Sequence, residues 1–97
     1  MTVAQTIRAK LDAALKPKRL IIYDDSHLHA GHHQGARDVG ETHFRIEVVA
    51  AAFAGLSRVA RQRQVYAILA EELAGPVHAL QLTARTPEED DRAARPG

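Results

Sequence analysis

Six histidines and no cysteine set the chemistry open to this 97-residue chain. Four of them, His27, His29, His32 and His33, are crowded into one polar stretch. Ala30 and Gly31 between them let the backbone turn tightly, so several imidazoles can converge on one point. That pattern suits ligation of a metal ion or cluster, with a solvated polar loop as the alternative reading. Without a thiol of its own, the chain must borrow sulfur for any soft metal.

His78 stands apart from this cluster. It follows Gly75-Pro76-Val77 and precedes the apolar alternation Leu80, Leu82, so it is either a ligand at a strand mouth or a histidine that hydrogen-bonds at a sheet end. His43 alternates with Phe44 and reads as a strand-surface residue. Arg58, Arg61 and Arg63 crowd the start of a helix, where cations oppose the positive end of the helix dipole. A partner surface, a nucleic-acid phosphate or neighbouring carboxylates would each compensate them. Asp24-Asp25-Ser26-His27 is the nearest approach to a catalytic grouping, yet contiguous residues seldom aim at one atom, and Asp and Ser are common turn formers. Neither a Walker loop nor a dinucleotide fingerprint occurs. A zinc site made from the loop histidines alone would lack a helix-borne ligand pair and a general base.

The elements that must position these residues follow from periodicity. Thr2 and Gln5 have capping-box spacing ahead of Val3, Ile7, Leu11 and Leu15, which predicts a first helix. Pro17 ends it, and Leu20-Ile21-Ile22-Tyr23 predicts a strand. Phe44, Ile46 and Val48 alternate with His43, Arg45 and Glu47 as a second strand, separated from the first by the long connection 24–40. A short helical piece over 50–54 stops near Gly55. Ser57 then caps a longer helix expected to carry Val59, Tyr66, Leu69 and Leu73 on one face. After Gly75-Pro76, Val77–Arg85 is expected as a third strand with His78, Leu80 and Leu82 on one side. The expectation is a single two-layer α+β domain over 1–87, in the order helix, strand, strand, helix, helix, strand, followed by a charged, disordered tail over 88–97.

Composition narrows the function classes. Apolar residues make up 45% and charged residues 26%, an ordinary globular balance, and the net charge is only +1. The balance is uneven: residues 1–87 carry eleven Lys/Arg against eight Asp/Glu, and 88–97 carry two against four. So mild a charge steers nucleic acid weakly. No membrane span or signal-peptide core is evident, which makes the cytoplasm the expected compartment.

Five stretches in order resemble the BolA family: Asp24-Asp25-Ser26-His27-Leu28-His29-Ala30-Gly31-His32, Gly40-Glu41-Thr42-His43-Phe44-Arg45-Ile46, Phe53-Ala54-Gly55-Leu56-Ser57, Arg61-Gln62-Arg63-Gln64-Val65-Tyr66 and Val77-His78-Ala79-Leu80. The resemblance implies a fold similar to the class II KH arrangement and a non-enzymatic role beside a monothiol glutaredoxin. The two proteins would share a 2Fe-2S cluster, with the glutaredoxin and its glutathione supplying thiolates. It implies His78 as the principal ligand and a second ligand from the loop, His29 first and His32 next, ahead of His27 and His33. Many family members read Arg-His-Arg where this chain has Arg61-Gln62-Arg63, so no histidine role transfers there.

The alternative is a DNA-binding transcriptional regulator using Arg58, Arg61 and Arg63. Against it, Gly55-Leu56-Ser57-Arg58 lacks the second glycine of a KH clamp, and few aromatic side chains are available for base stacking. Alone, the chain is expected to be a monomer or a weak homodimer. Imidazole ligation carries a pH signature, because protonation near the ordinary histidine pKa of about 6.5 competes with metal binding. The visible absorption of the mixed complex should therefore change between neutral pH and about 5.5; a spectrum constant over that interval would count against histidine ligands.

Overall fold

The computed structural model describes residues 1–25 and 42–95. α1 (Val3–Leu15) starts at the capping box read from the sequence: Gln5 N–H donates to Thr2 Oγ1 and Thr2 N–H to Gln5 Oε1. It ends on Lys16 in the left-handed region (φ 46°), and the following Pro17 cannot continue the helix. β1 (Arg19–Asp24) and β2 (His43–Val49) pair antiparallel, with Arg19 opposite Val49 and Asp24 opposite Phe44. A 3-10 turn (Ala51–Phe53) leads to Gly55, whose φ of 80° favours glycine for conformational reasons alone, since a side chain there would meet open space.

α2 (Arg58–Ile68) begins at Ser57, whose hydroxyl accepts from Ala60 N–H. At Leu69 the helical path breaks, and α3 (Ala70–Ala74) continues to Gly75. β3 (Ala79–Arg85) then lies parallel to β2, His43 opposite Ala79 and Val49 opposite Arg85, so the sheet order is β1-β2-β3. The helices and the sheet close on one core, in which Ile7, Leu11, Ile46, Phe53 and Val65 are fully buried. The architecture is the expected two-layer α+β sandwich.

Both edge strands are partly capped from the helices. Arg8 donates to the Leu20 carbonyl on β1 (3.0 Å), while Tyr66 and Arg61 donate to the Leu80 and Ala84 carbonyls on β3 (3.4 and 3.2 Å). Such capping removes acceptors from the templates that edge strands offer to other chains.

Three expectations are corrected. β3 begins at Ala79, because the N–H groups of both His78 and Ala79 are drawn to the Thr42 carbonyl (2.7 and 3.2 Å); Val77 fills the core while His78 faces solvent. The buried stripe of α2 and α3 runs through Arg61, Val65, Leu69 and Leu73 at four-residue spacing, leaving Val59 55% exposed. A cation at the head of an apolar row hid that stripe from the sequence reading. Finally, 88–97 is not a disordered tail through its length: α4 (Pro87–Ala94) has its own capping box, Thr86 with Glu89.

Arg61 explains why α4 docks. Its side chain is 12% exposed, and the guanidinium donates to the carbonyls of Leu56 and Ala84 and, through two nitrogens, to Glu89 (2.6 and 3.1 Å). That guanidinium first, and the Thr86 N–H second, hold the Glu89 carboxyl down to about 2 from its ordinary 4.5. A carboxyl whose folded pKa lies below its unfolded one stabilises the fold above the unfolded value, and that stability is lost as pH falls through the folded value. Urea midpoints should therefore drop as pH goes from about 4.5 towards about 2, and Glu89→Gln should remove part of that drop; an identical acid profile in the variant would break the assignment.

Candidate functional site

The first residues of β2 and β3 meet at one end of the sheet because those strands run parallel. There the rings of His43 and His78 lie 6.3 Å apart, centroid to centroid, tilted by 50°. His43 is half-buried and His78 is exposed. Thr42 supports both. Its carbonyl accepts from the His78 N–H (2.7 Å), and its hydroxyl is hydrogen-bonded to His43 Nδ1 (2.8 Å). In the tautomer where Nδ1 donates to that hydroxyl, the lone pair of His43 is left on Nε2, the arrangement a ligating imidazole needs.

The chain enters the segment 26–41 after Asp25 and leaves it at Thr42. Asp25 is pinned at this same end: its N–H donates to the His43 carbonyl (2.8 Å) and its carboxylate accepts from Arg45 Nε (3.1 Å). Arg45 also lies over the Tyr23 ring at 4.0 Å, a cation–π contact that holds the guanidinium in place. His27, His29, His32 and His33 lie outside the described residues. Both anchors of the segment that carries them are nonetheless neighbours of the His43–His78 pair in the hydrogen-bond pattern.

Sequence reading found His78 and left His43 as a surface residue. The missing signal was strand pairing, since only the parallel register of β2 with β3 puts residues 43 and 78 side by side. Among the described residues no three potential metal ligands of the His, Cys, Asp or Glu type converge. The described residues therefore offer two neighbouring nitrogen donors and no complete ligand set, and the absence of cysteine means that any thiolate beside them would come from elsewhere.

The arginines expected to form one surface separate into two groups. Arg61 is engaged internally as described above, whereas Arg58 and Arg63 are exposed and make no ion pair within 4.0 Å among the described residues. The geometry also predicts that His78 is dispensable for folding, because its side chain faces water and only its backbone serves the sheet. His78→Ala should change unfolding free energy by no more than about 0.5 kcal/mol in urea titration. A loss of several times that size would make His78 a structural residue.

Comparison with known proteins bears on the family and the fold. A family model described as BolA-like protein matches residues 11–89. BolA-like protein 1 of Homo sapiens is 49% identical over 85 residues, covering 88% of this chain and 58% of the human protein; the chain spans little more than half of that relative. Among solved structures, the BolA domain of SufE1 from Arabidopsis thaliana has a TM-score of 0.76 at 44% identity, covering 88% of this chain and 92% of that one. BolA1 from the same plant has a TM-score of 0.78 at 39% identity, covering 92% and 96%. On sequence and fold together, this chain belongs to the BolA-like family.

Proposed function

We propose that the protein is a non-enzymatic partner of a monothiol glutaredoxin, sharing a 2Fe-2S cluster through histidine in cluster trafficking or iron regulation. The observation that carries the reading is an exposed His78 beside His43, in a chain with no cysteine. Two solvent-accessible imidazoles can complete the coordination of one iron but cannot hold a cluster alone. Such a half-site fits a cofactor owned jointly: glutaredoxin and glutathione would bring the thiolates, and this chain the nitrogens. Histidine in place of thiolate tends to raise the cluster potential and makes binding proton-dependent.

His78 is the principal ligand in this reading. The second is a choice among His29, His32 and His43: the loop pair follows from the family resemblance, and His43 from its position beside His78. The hydroxyl of Thr42 and the Asp25–Arg45 ion pair would position those groups. Relatives named for a BolA domain within SufE1 and a SufE-like protein of Arabidopsis thaliana support a role in iron–sulfur biology. Direct DNA regulation is the second reading, favoured by Arg58 and Arg63, which stand exposed on α2 without an ion pair among the described residues.

Reconstitution with a monothiol glutaredoxin, glutathione, iron and sulfide, followed by visible circular dichroism, tests the proposal. Wild type should convert the glutaredoxin spectrum to that of a mixed complex, and His78→Ala should prevent this. His29→Ala, His32→Ala and His43→Ala then identify the second ligand by which of them alters the spectrum. A glutaredoxin spectrum unaffected by wild type would contradict the proposal.

A further inference from the structure

β3 is an edge strand, and residues of its later half line a cavity of about 690 Å³ beside the start of α2. That volume lies in the range of built ligand sites. Leu56, Leu82 and Ala84 give the cavity an apolar lining, and Arg58, Gln62 and Arg85 a polar one. Arg61 and Glu89 also line it, but each is spent on the other.

The backbone of β3 adds a pattern of its own. Ala79 N–H reaches the Thr42 carbonyl and the Arg85 carbonyl accepts from Ala50 N–H, so the odd-numbered residues of β3 turn their backbone groups towards β2. Leu80, Leu82 and Ala84 therefore present theirs to the open edge. There the Leu80 and Ala84 carbonyls are taken by Tyr66 and Arg61. The Leu82 carbonyl and the N–H groups of Leu80, Leu82 and Ala84 have no partner among the described residues. The edge is left with more donors than acceptors over about 13 Å of strand.

We propose that this groove takes an extended acidic peptide segment of another protein, which adds a fourth strand beside β3, bonds at Leu82 and sets a carboxylate against Arg58 and Arg85. The open pair of groups at Leu82 selects a peptide. A strand supplies a donor and an acceptor together at that spacing, whereas a phosphodiester has no donor for the Leu82 carbonyl. The excess of N–H groups and the cations select a segment that is rich in acceptors and negatively charged. Arg58 makes no ion pair among the described residues, Arg85 has Asp90 only at 3.7 Å, and the carboxylate lining the cavity is committed to Arg61. Leu56, Leu82 and Ala84 offer contact to every second side chain of the added strand, those that point towards the helix layer. Main-chain hydrogen bonds supply affinity in this mode, so no exposed aromatic anchor is needed. The groove is independent of the cluster reading.

The probe is a short peptide blocked at both ends, Glu-Glu-Val-Thr-Val-Thr, added to the full chain and followed by amide NMR. At saturation it should slow hydrogen exchange of the Leu82 amide by about tenfold or more. The Ala79 amide, already bonded to Thr42, should change little. The same peptide methylated on its backbone nitrogens keeps its side chains but loses the donor that the Leu82 carbonyl needs, and should leave Leu82 unprotected. Arg58→Gln should weaken binding about threefold, and Arg63→Gln, an equal change of charge outside the cavity lining, much less. Equal losses in the two variants, equal binding of the methylated peptide, or an unprotected Leu82 at millimolar peptide would overturn the proposal. So would protection of Leu82 by rising concentration of the chain alone, which would make a second copy the occupant, or by a DNA duplex and not by the peptide.

Discussion

Where β3 joins β2, the Thr42 carbonyl accepts from both His78 and Ala79, and from that point the strands run in the same direction to Val49 and Arg85. Parallel neighbours cannot be joined by a hairpin, so the chain must cross over through α2 and α3 before β3 begins. This pairing polarises the molecule. The starts of β2 and β3 gather the histidines at one end, and the ends of the same strands, with the start of antiparallel β1, gather arginines at the other. The core between them, centred on Ile46 and Phe53, keeps the two ends apart and lets each carry its own chemistry.

Much of this order could be read from residue types. The Thr2–Gln5 box, the alternation of Phe44, Ile46 and Val48, the Ser57 cap and the Gly75-Pro76 stop are local signals, each fixed by a few neighbours in sequence, and each marks a real element. What escaped was everything set by tertiary contact. Arg61 heads the buried row of α2 because Glu89 and two carbonyls satisfy its charge, and nothing near residue 61 announces partners 5, 23 and 28 positions later or earlier. The helical character of α4 went unread for a related reason: an acidic run looks like solvated tail until the arginines that neutralise it are in view. In hindsight, Thr86-Pro87-Glu88-Glu89 is itself a helix-start signature, with proline at the first helical position and glutamate at the capping-box position.

The site divides in the same way. His78 stood out from its setting in the sequence, whereas its neighbour His43 became visible only through strand register. Their surroundings are economical: one threonine serves both, using its carbonyl for the His78 backbone and its hydroxyl for the His43 ring. No member of the described α+β frame is long and apolar enough as a helix to cross a membrane. Nitrogen donors presented at an exposed sheet end, with no cysteine in the chain, suit a protein that completes a site begun by another.

That joint ownership is the central claim, and the nitrogen nuclei themselves can report on it. The mixed complex would be assembled from this chain carrying 15N only in histidine and a glutaredoxin at natural abundance, then reduced and studied by pulsed electron paramagnetic resonance. The account predicts strong 15N hyperfine coupling to the cluster that disappears in His78→Ala. A reduced cluster with no coupling to 15N from this chain would contradict it.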